Sequence, residues 1–400
     1  MNVLDAEVLV VGGGPAGAAT AALLARRGRD VLLLEKGAFP RDKPCGEYYG
    51  PGVVDALARL GALDAVLATE HERLGGMRIR VGRRGFLLSY PDGDGHRGAL
   101  GVRRSLLDRA LLHHARASGV RVAERARVSE AELEEDRVVG VRLRGAGGET
   151  GEVLRSRFVV AADGRHSAIA RSLGLDLPVR WPRRLGLHAH YSGVASRLGG
   201  LGEMHVGRGT YCGLAPVGGG LVVAGLVVPL GAKLPGESAE RHFERGLAGL
   251  PGVAAVLEGA RRVGPVRGIG PLARRVCRAA GPSYLLVGDA AGFLDPFTGE
   301  GVYRALRGAE LAAGAVERAL RRPDGVPVDY ERARRAAFAD KERLVRLIQL
   351  VLGSHRSFGY VVGNLARRPR SAALIKGVLG DYRPARPALH PGYLWSLLRP

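Results

Sequence analysis

The sequence predicts an α/β fold with an α+β insertion: a parallel-sheet domain, an inserted antiparallel sheet and a helical C-terminal tail. Three observations carry that prediction. Apolar runs at 8–11, 157–161 and 284–287 each deliver glycines and one carboxylate into a turn before a helix. Residues 185–229 alternate with period two in short strands. From about 327 onward the apolar residues fall at helical spacing (Leu344, Leu347, Ile348, Leu350, Val351, Leu352).

The first run is the most informative. Val8, Leu9, Val10 and Val11 form a buried strand that enters Gly12, Gly14 and Gly17, spaced G-x-G-x-x-G. An Ala/Leu-rich helix follows to Arg27, Gly28 stops it, and a second apolar strand ends on Glu35. In such a Rossmann-like unit Gly12 allows the tight turn, Gly14 lets the backbone approach a pyrophosphate, and Gly17 lets helix and strand pack closely. The helix N-terminus offers free N–H groups to phosphate, and an acid about 20 residues on accepts from a ribose diol. Pro15 and Ala16 inside the turn, and Lys36 beside Glu35, belong to the same candidate dinucleotide site.

Composition bounds the rest. With 46% hydrophobic residues the chain can bury a large core over several structural units. No signal peptide and no apolar stretch long enough to span a membrane is visible. Cys45, Cys212 and Cys277 form no C-x-x-C pair, which argues against disulfides and zinc and for a reducing cytoplasm. The formal charge is +21, yet only five of the 60 basic residues are Lys, and the Arg residues are scattered. That pattern excludes a nucleic-acid reader and leaves peripheral contact with anionic membrane open.

In chain order, 36–52 (KGAFPRDKPCGEYYGPG) is a Gly/Pro-dense functional loop and 53–68 forms one or two short helices. A hairpin spans 77–90 with Arg84-Gly85 near its turn, and an amphipathic helix spans 101–120. Strands follow at 121–128, 137–144 and 152–160, the acidic run Glu130–Asp136 being a solvated hairpin. Residues 157–175 are a strand, a turn at Asp163-Gly164 and a short helix with Ser167 in its first turn. Strands Leu185–Ser192, Gly202–Val206, Thr210–Pro216 and Leu221–Pro229 make the inserted sheet, followed by helices around 237–249 and 251–260. The expected units are 1–175 (with small strands at 77–100), 176–280, 281–320 returning to the first, and the tail 321–400.

Three motifs in this order, GGGPAG…E, ADGRHS and GDAAGFLDPFTGEG, resemble the flavoprotein hydroxylases of the para-hydroxybenzoate hydroxylase fold, close to the geranylgeranyl reductase-like branch. The resemblance covers roughly residues 5 to 320. It implies a resident FAD whose ADP half is held by Gly12, Gly14, Gly17 and Glu35. It further implies that Arg104 reaches the nucleotide and that Asp163 and Gly164 lie between FAD and a transient nicotinamide. By the same token Gly288 and Asp289 meet the ribityl chain, and Pro296, Gly299 and Gly301 face the isoalloxazine. A helix N-terminus there favours negative charge on the reduced ring.

Departures narrow the activity. The halogenase motif W-x-W-x-I-P is absent, and where the reductases carry Y-x-W-x-F-P the aligned stretch is Tyr211 to Pro216 with Gly213 in place of the tryptophan. The KPCGG segment of those reductases appears as Lys43-Pro44-Cys45-Gly46-Glu47. That loop either caps the flavin or substrate channel, with Cys45, Glu47, Tyr48 or Tyr49 lining it, or packs on the adenosine. His188, His190 and His205 line the substrate cavity or bond locally, and no metal is expected. The resemblance therefore implies first a monooxygenase acting on an aromatic, polyketide-like or lipophilic molecule through a flavin hydroperoxide, with O2 and transient NAD(P)H. The second reading is a reductase of isoprenoid double bonds, and the third a non-catalytic flavin-binding or membrane-docking protein. The tail is expected to pack on the FAD domain or to lie on a membrane surface.

Overall fold

The computed structural model describes residues 4–90, 98–145 and 149–399. Two large sheets carry the chain. The first runs, from one edge, through Ala280–Gly281, Tyr284–Leu286, Thr150–Ala161, Ala6–Val11, Val31–Glu35 and Arg121–Glu124. Every pairing from Tyr284–Leu286 to Arg121–Glu124 is parallel. Helices cover both faces of such a sheet, which is why its strands are continuous apolar runs rather than alternating ones. Helix Pro15–Ala25 is built of small residues and is buried almost all round, packed against Arg104–Ala117 and Gly301–Ala319.

The acidic run lies in a hairpin, as expected, and forms most of its first strand as well as its turn. Val128–Glu134 pairs with Arg137–Arg144, and only Glu135 and Asp136, both with left-handed backbone, make the turn. Arg142 faces Glu130 and Glu132 at 3.1 and 2.7 Å, so cross-strand charge pairing stabilises a strand that has little apolar pattern.

The second sheet has seven strands, ordered Arg261–Ile269, Arg184–Ser192, Leu221–Pro229, Tyr211–Pro216, Gly202–Val206, Gly76–Val81 and Arg84–Ser89. Three points depart from the expectation. The hairpin, expected within the first unit, extends this sheet instead. It joins Gly202–Val206 in parallel, so the sheet is not wholly antiparallel. Strand Arg261–Ile269, absent from the expected strands, is an edge strand, mostly exposed, with no apolar alternation to mark it. The loop after Glu35 stays irregular only to Glu47. Tyr48–Tyr49 then pairs with Ala99–Gly101 in a small third sheet, and a helix starts at Pro51.

The tail forms helices Tyr330–Leu352, His355–Arg367, Pro369–Leu379 and Pro391–Leu398. Leu344, Phe358, Val362 and Ile375 share one core with Ile79, Val81, Phe86 and Leu88 of the hairpin. The tail thus packs on the apolar face of the hairpin, part of which would otherwise meet water, rather than only on the first domain. Salt bridges Arg304–Glu342 and Lys341–Asp381, both 2.6 Å, tie it to helix Gly301–Ala319 and to its own turn. Among the described residues no helix is long and apolar enough to cross a membrane.

Candidate cofactor and substrate site

The fingerprint glycines do three different jobs. Gly12 has φ 104°, and a Cβ there would lie 2.5 Å from the Ala162 carbonyl oxygen. A Cβ on Gly17 would lie 1.8 Å from the Gly12 carbonyl oxygen, so this glycine is what lets the helix sit on the strand. Gly14 is different, because a Cβ there would meet only the Arg41 guanidinium, at 3.8 Å. The protein's own packing therefore does not require its smallness.

Glu35 is buried at the end of its strand and accepts from the N–H groups of Gly13 (2.8 Å) and Gly37 (3.0 Å). Arg41 also reaches it, at 3.2 Å, while lying over the Phe39 ring and 3.4 Å from Asp108. Asp108 in turn holds Arg104 in a two-pronged bridge at 3.0 and 2.9 Å. Lys36 is exposed beside Glu35.

Around Asp289 a second charged cluster forms. Arg165 approaches its carboxylate at 3.5 Å and stacks over Phe293. Burial disfavours the ionised carboxyl, yet Lys43, Arg165, Arg104 and Arg304 outweigh it and hold Asp289 below its ordinary value. Burial conversely pushes the Lys43 ammonium down, against the pull of Asp289. Asp163 accepts from the N–H of Ala168 at 2.7 Å and thereby caps the short helix Ala168–Ser172, while burial raises its carboxyl. Gly164, rather than Asp163, lines the cavity.

One continuous cavity joins these residues to the second sheet. Gly14, Pro15, Ala16, Arg104, Gly288, Asp289, Pro296, Gly299 and Gly301 form one side of it. Met77, Ile79, Leu88, Met204, Val227 and Ile269 form an apolar chamber on the other. The 43–49 stretch, with Cys45, Glu47, Tyr48 and Tyr49, lies between them as lining. Gly213 also lines the chamber, opposite Gly225, whose Cβ would come within 3.5 Å of Gly46.

Glu47 is the loop's anchor. Its backbone is left-handed (φ 52°), its carboxylate accepts from the N–H of Arg104 at 2.7 Å, and its other oxygen lies 2.7 Å from Nε2 of His190. His188 lines the cavity, but His205 does not. Strand alternation turns Met204 inward and His205 outward, where Nε2 of His205 meets Glu203 at 2.8 Å. Burial works against that carboxylate, but His205, Arg78 and Arg80 hold it down to about 2. Tyr211 lines the cavity while its hydroxyl donates to Asp295 at 2.6 Å. Asp295 also caps the Pro296–Thr298 turn, so this bond fastens the second sheet to the Pro296–Gly301 loop. Among the described residues no three His, Cys, Asp or Glu side chains cluster as a metal site.

Lys43, Arg41 and Arg165 are the site residues that sequence reasoning passed over. Lys43 and Arg165 stood inside quoted motifs, whereas the reach of Arg41 to Glu35 had no local signal. Arg165 is buried with Nε and Nη1 lacking partners, and Thr298 Oγ1 and Asp163 Oδ1 are likewise unpaired. Buried donors and acceptors without partners near an open glycine turn, with Glu35 at one end and Asp289 at the other, fit a dinucleotide with a flavin half.

Comparison with known proteins agrees. A family model described as "FAD binding domain" matches residues 5–186. The menaquinone reductase of Mycobacterium tuberculosis is 32% identical over 340 residues, covering 78% of this chain and 77% of that protein. A digeranylgeranylglycerophospholipid reductase of Methanopyrus kandleri is 30% identical over 339 residues, covering 80% and 83%. Among solved structures, a variant of a flavin-dependent brominase superposes with a TM-score of 0.82 at 20% identity, over 98% of this chain and 97% of that one, which speaks for the fold alone. The chain belongs to the FAD-binding-domain flavoprotein family and is an FAD-dependent oxidoreductase.

Proposed function

We propose that this protein reduces a carbon–carbon double bond in a long, apolar, isoprenoid-type lipid. The observation that carries the reading is the continuity of the cavity: the FAD-binding wall opens directly into a chamber lined by Met, Ile, Leu and Val side chains. Such a chamber suits a branched hydrocarbon chain, whose burial stabilises the complex by roughly 25 cal/mol per Å² of apolar surface. The relatives named for menaquinone and for digeranylgeranylglycerophospholipid support the same substrate class.

The residues divide the work. Gly12, Gly14, Gly17 and Glu35 would hold the adenosine and pyrophosphate, with Arg41 and Arg104 neutralising phosphate. Asp289, Gly288, Pro296, Gly299 and Gly301 would hold the flavin half. Bound FAD supplies a two-electron redox couple. The 43–49 loop and the second sheet exclude water and align the double bond. In the net reaction one π bond is replaced by two C–H bonds, at the expense of two electrons and two protons. Transient NAD(P)H or a separate reductase would supply the electrons.

A second reading is a monooxygenase of an aromatic or polyketide-like molecule, using NAD(P)H and O2. Gly213 favours it, because the tryptophan of the reductase motif is missing and the chamber is open at that point. The experiment is turnover of the FAD-loaded protein with a geranylgeranyl-substituted naphthoquinone. With NAD(P)H or dithionite as the electron source, anaerobic gain of two hydrogens in the prenyl chain, retained after the quinone head is reoxidised in air, supports the reductase. A product heavier by one oxygen, formed only in air, replaces it with the monooxygenase.

A further inference from the structure

Among the described residues, His188 is the imidazole that the cavity leaves unsatisfied, beside the unpaired hydroxyls of Tyr48 and Tyr49. Only 4% of it is exposed, it lines the cavity, and neither ring nitrogen has a hydrogen-bond partner. A neutral imidazole carries one N–H donor and one bare acceptor, and burying both without partners costs free energy. Its neighbours do not supply them. His190, on the same face of the strand, stands edge-on to it with ring centroids 5.5 Å apart, and its own Nε2 is taken by Glu47. Since an ionised carboxylate only accepts, that nitrogen carries the proton. Arg267, opposite His188 on the edge strand, is turned to Asp42 of the loop at 3.1 Å.

We propose that His188 holds the neutral oxygen at the polar end of the lipid substrate, a quinone carbonyl or a phenolic hydroxyl, and thereby selects against phosphate- and carboxylate-headed lipids. This rests on the reductase reading above and narrows its substrate class. Burial is the largest influence on His188 and lowers its imidazolium to about 4, so the ring is uncharged at neutral pH and offers no cation to an anionic head. Glu47 and Asp42 pull the other way, while His190 and Arg267 add to the lowering. The cations of the cavity gather instead about Asp289 and Asp108, on the side assigned to FAD. His190 and Glu47 are positioning residues: the Glu47 bond fixes the His190 ring, and that ring fixes the orientation of His188.

The test uses the full chain loaded with FAD and three probes bearing one geranylgeranyl chain: a naphthoquinone, a phosphate monoester and the plain hydrocarbon. Binding is followed by flavin absorbance. The wild type should bind the quinone roughly tenfold tighter than either other probe, the worth of a well-placed buried hydrogen bond. His188→Leu should bring the quinone to within about twofold of the hydrocarbon while FAD affinity holds, and His188→Gln, which keeps a donor and an acceptor, should restore part of the preference. Equal binding of all three probes by wild type and His188→Leu overturns the His188 assignment and leaves the reductase reading standing. Tightest binding of the phosphate, or loss of FAD from both variants, also overturns it. If no prenyl probe binds at all, the reductase reading falls and takes the assignment with it.

Discussion

The Glu47 carboxylate lies 2.7 Å from Nε2 of His190, so a loop that begins in the first sheet is fastened to a strand of the second. The same carboxylate accepts from the N–H of Arg104, at the start of a first-domain helix. The bond to Arg104 is buried and the one to His190 partly so, and Glu47 accepts a left-handed backbone to make them. Glu47→Ala should cost about 2–4 kcal/mol, the loss of two charge-assisted bonds at about 1.5–3 kcal/mol each with some relaxation. Glu47→Gly should cost roughly 1 kcal/mol less, because glycine takes the positive φ without strain. Urea denaturation of the two variants side by side checks both the loss and its order.

Gly14 and Gly17 separate folding from cofactor binding. Gly17→Ala places a Cβ 1.8 Å from the Gly12 carbonyl oxygen and must push the helix off the strand, so low solubility and a lower melting temperature are expected. Gly14→Ala meets only an arginine tip at 3.8 Å. Its apoprotein should melt within a few degrees of wild type, about 0.5 kcal/mol or less being at stake, while the purified protein carries little flavin. A Gly14→Ala protein that is as yellow as wild type would remove the pyrophosphate from that turn.

The contrast between those glycines also marks what could be seen in the chain. Val8–Glu35 was legible because its requirements are local: a buried parallel strand needs an apolar run, and a tight strand–helix turn needs glycine at fixed offsets. The shared face of His188 and His190 followed from strand alternation in the same way. Alternation could not say which face meets the cavity: Met204 takes the inward position, and His205 bonds locally to Glu203. The hairpin Gly76–Ser89, expected within the first unit, joins the second sheet, a pairing its local sequence could not announce because its partner, Gly202–Val206, lies far along the chain. Long charged side chains were the least legible. Arg41 reaches Glu35 and Asp108 only because the loop folds back over the fingerprint.

Tyr211 is the second fastening between the sheets, through its hydrogen bond to Asp295. Burial raises the Asp295 carboxyl, and the Tyr211 hydroxyl, the N–H of Phe297 and Arg184 offset part of that cost. Tyr211→Phe keeps the ring packed edge-on to Phe297 but leaves one buried carboxylate oxygen with less support. The expected loss is about 1–3 kcal/mol. The Pro296–Gly301 loop should also loosen, so FAD should dissociate several-fold faster in a fluorescence release assay. Unchanged stability with unchanged release would reduce the bond to a surface-like contact.

His188 should leave a signature in the pH dependence of stability. Its imidazolium ionises at about 4 in the folded protein, mainly because burial disfavours the charge, against about 6.5 in the unfolded chain. Between those values the unfolded chain binds more protons than the folded one, so stability rises with pH. The neutral ring's contribution is thus fully present above about pH 6.5 and is lost as pH falls toward about 4. His188→Gln has nothing to titrate, so its stability curve should be flatter than wild type's across that window, and the gap between the two should be constant above it. Denaturation midpoints at half-unit intervals from pH 4 to 8 measure this directly. Parallel curves would mean that His188 is already charged or solvated in the folded protein, and that the chamber around it is wetter than its burial implies.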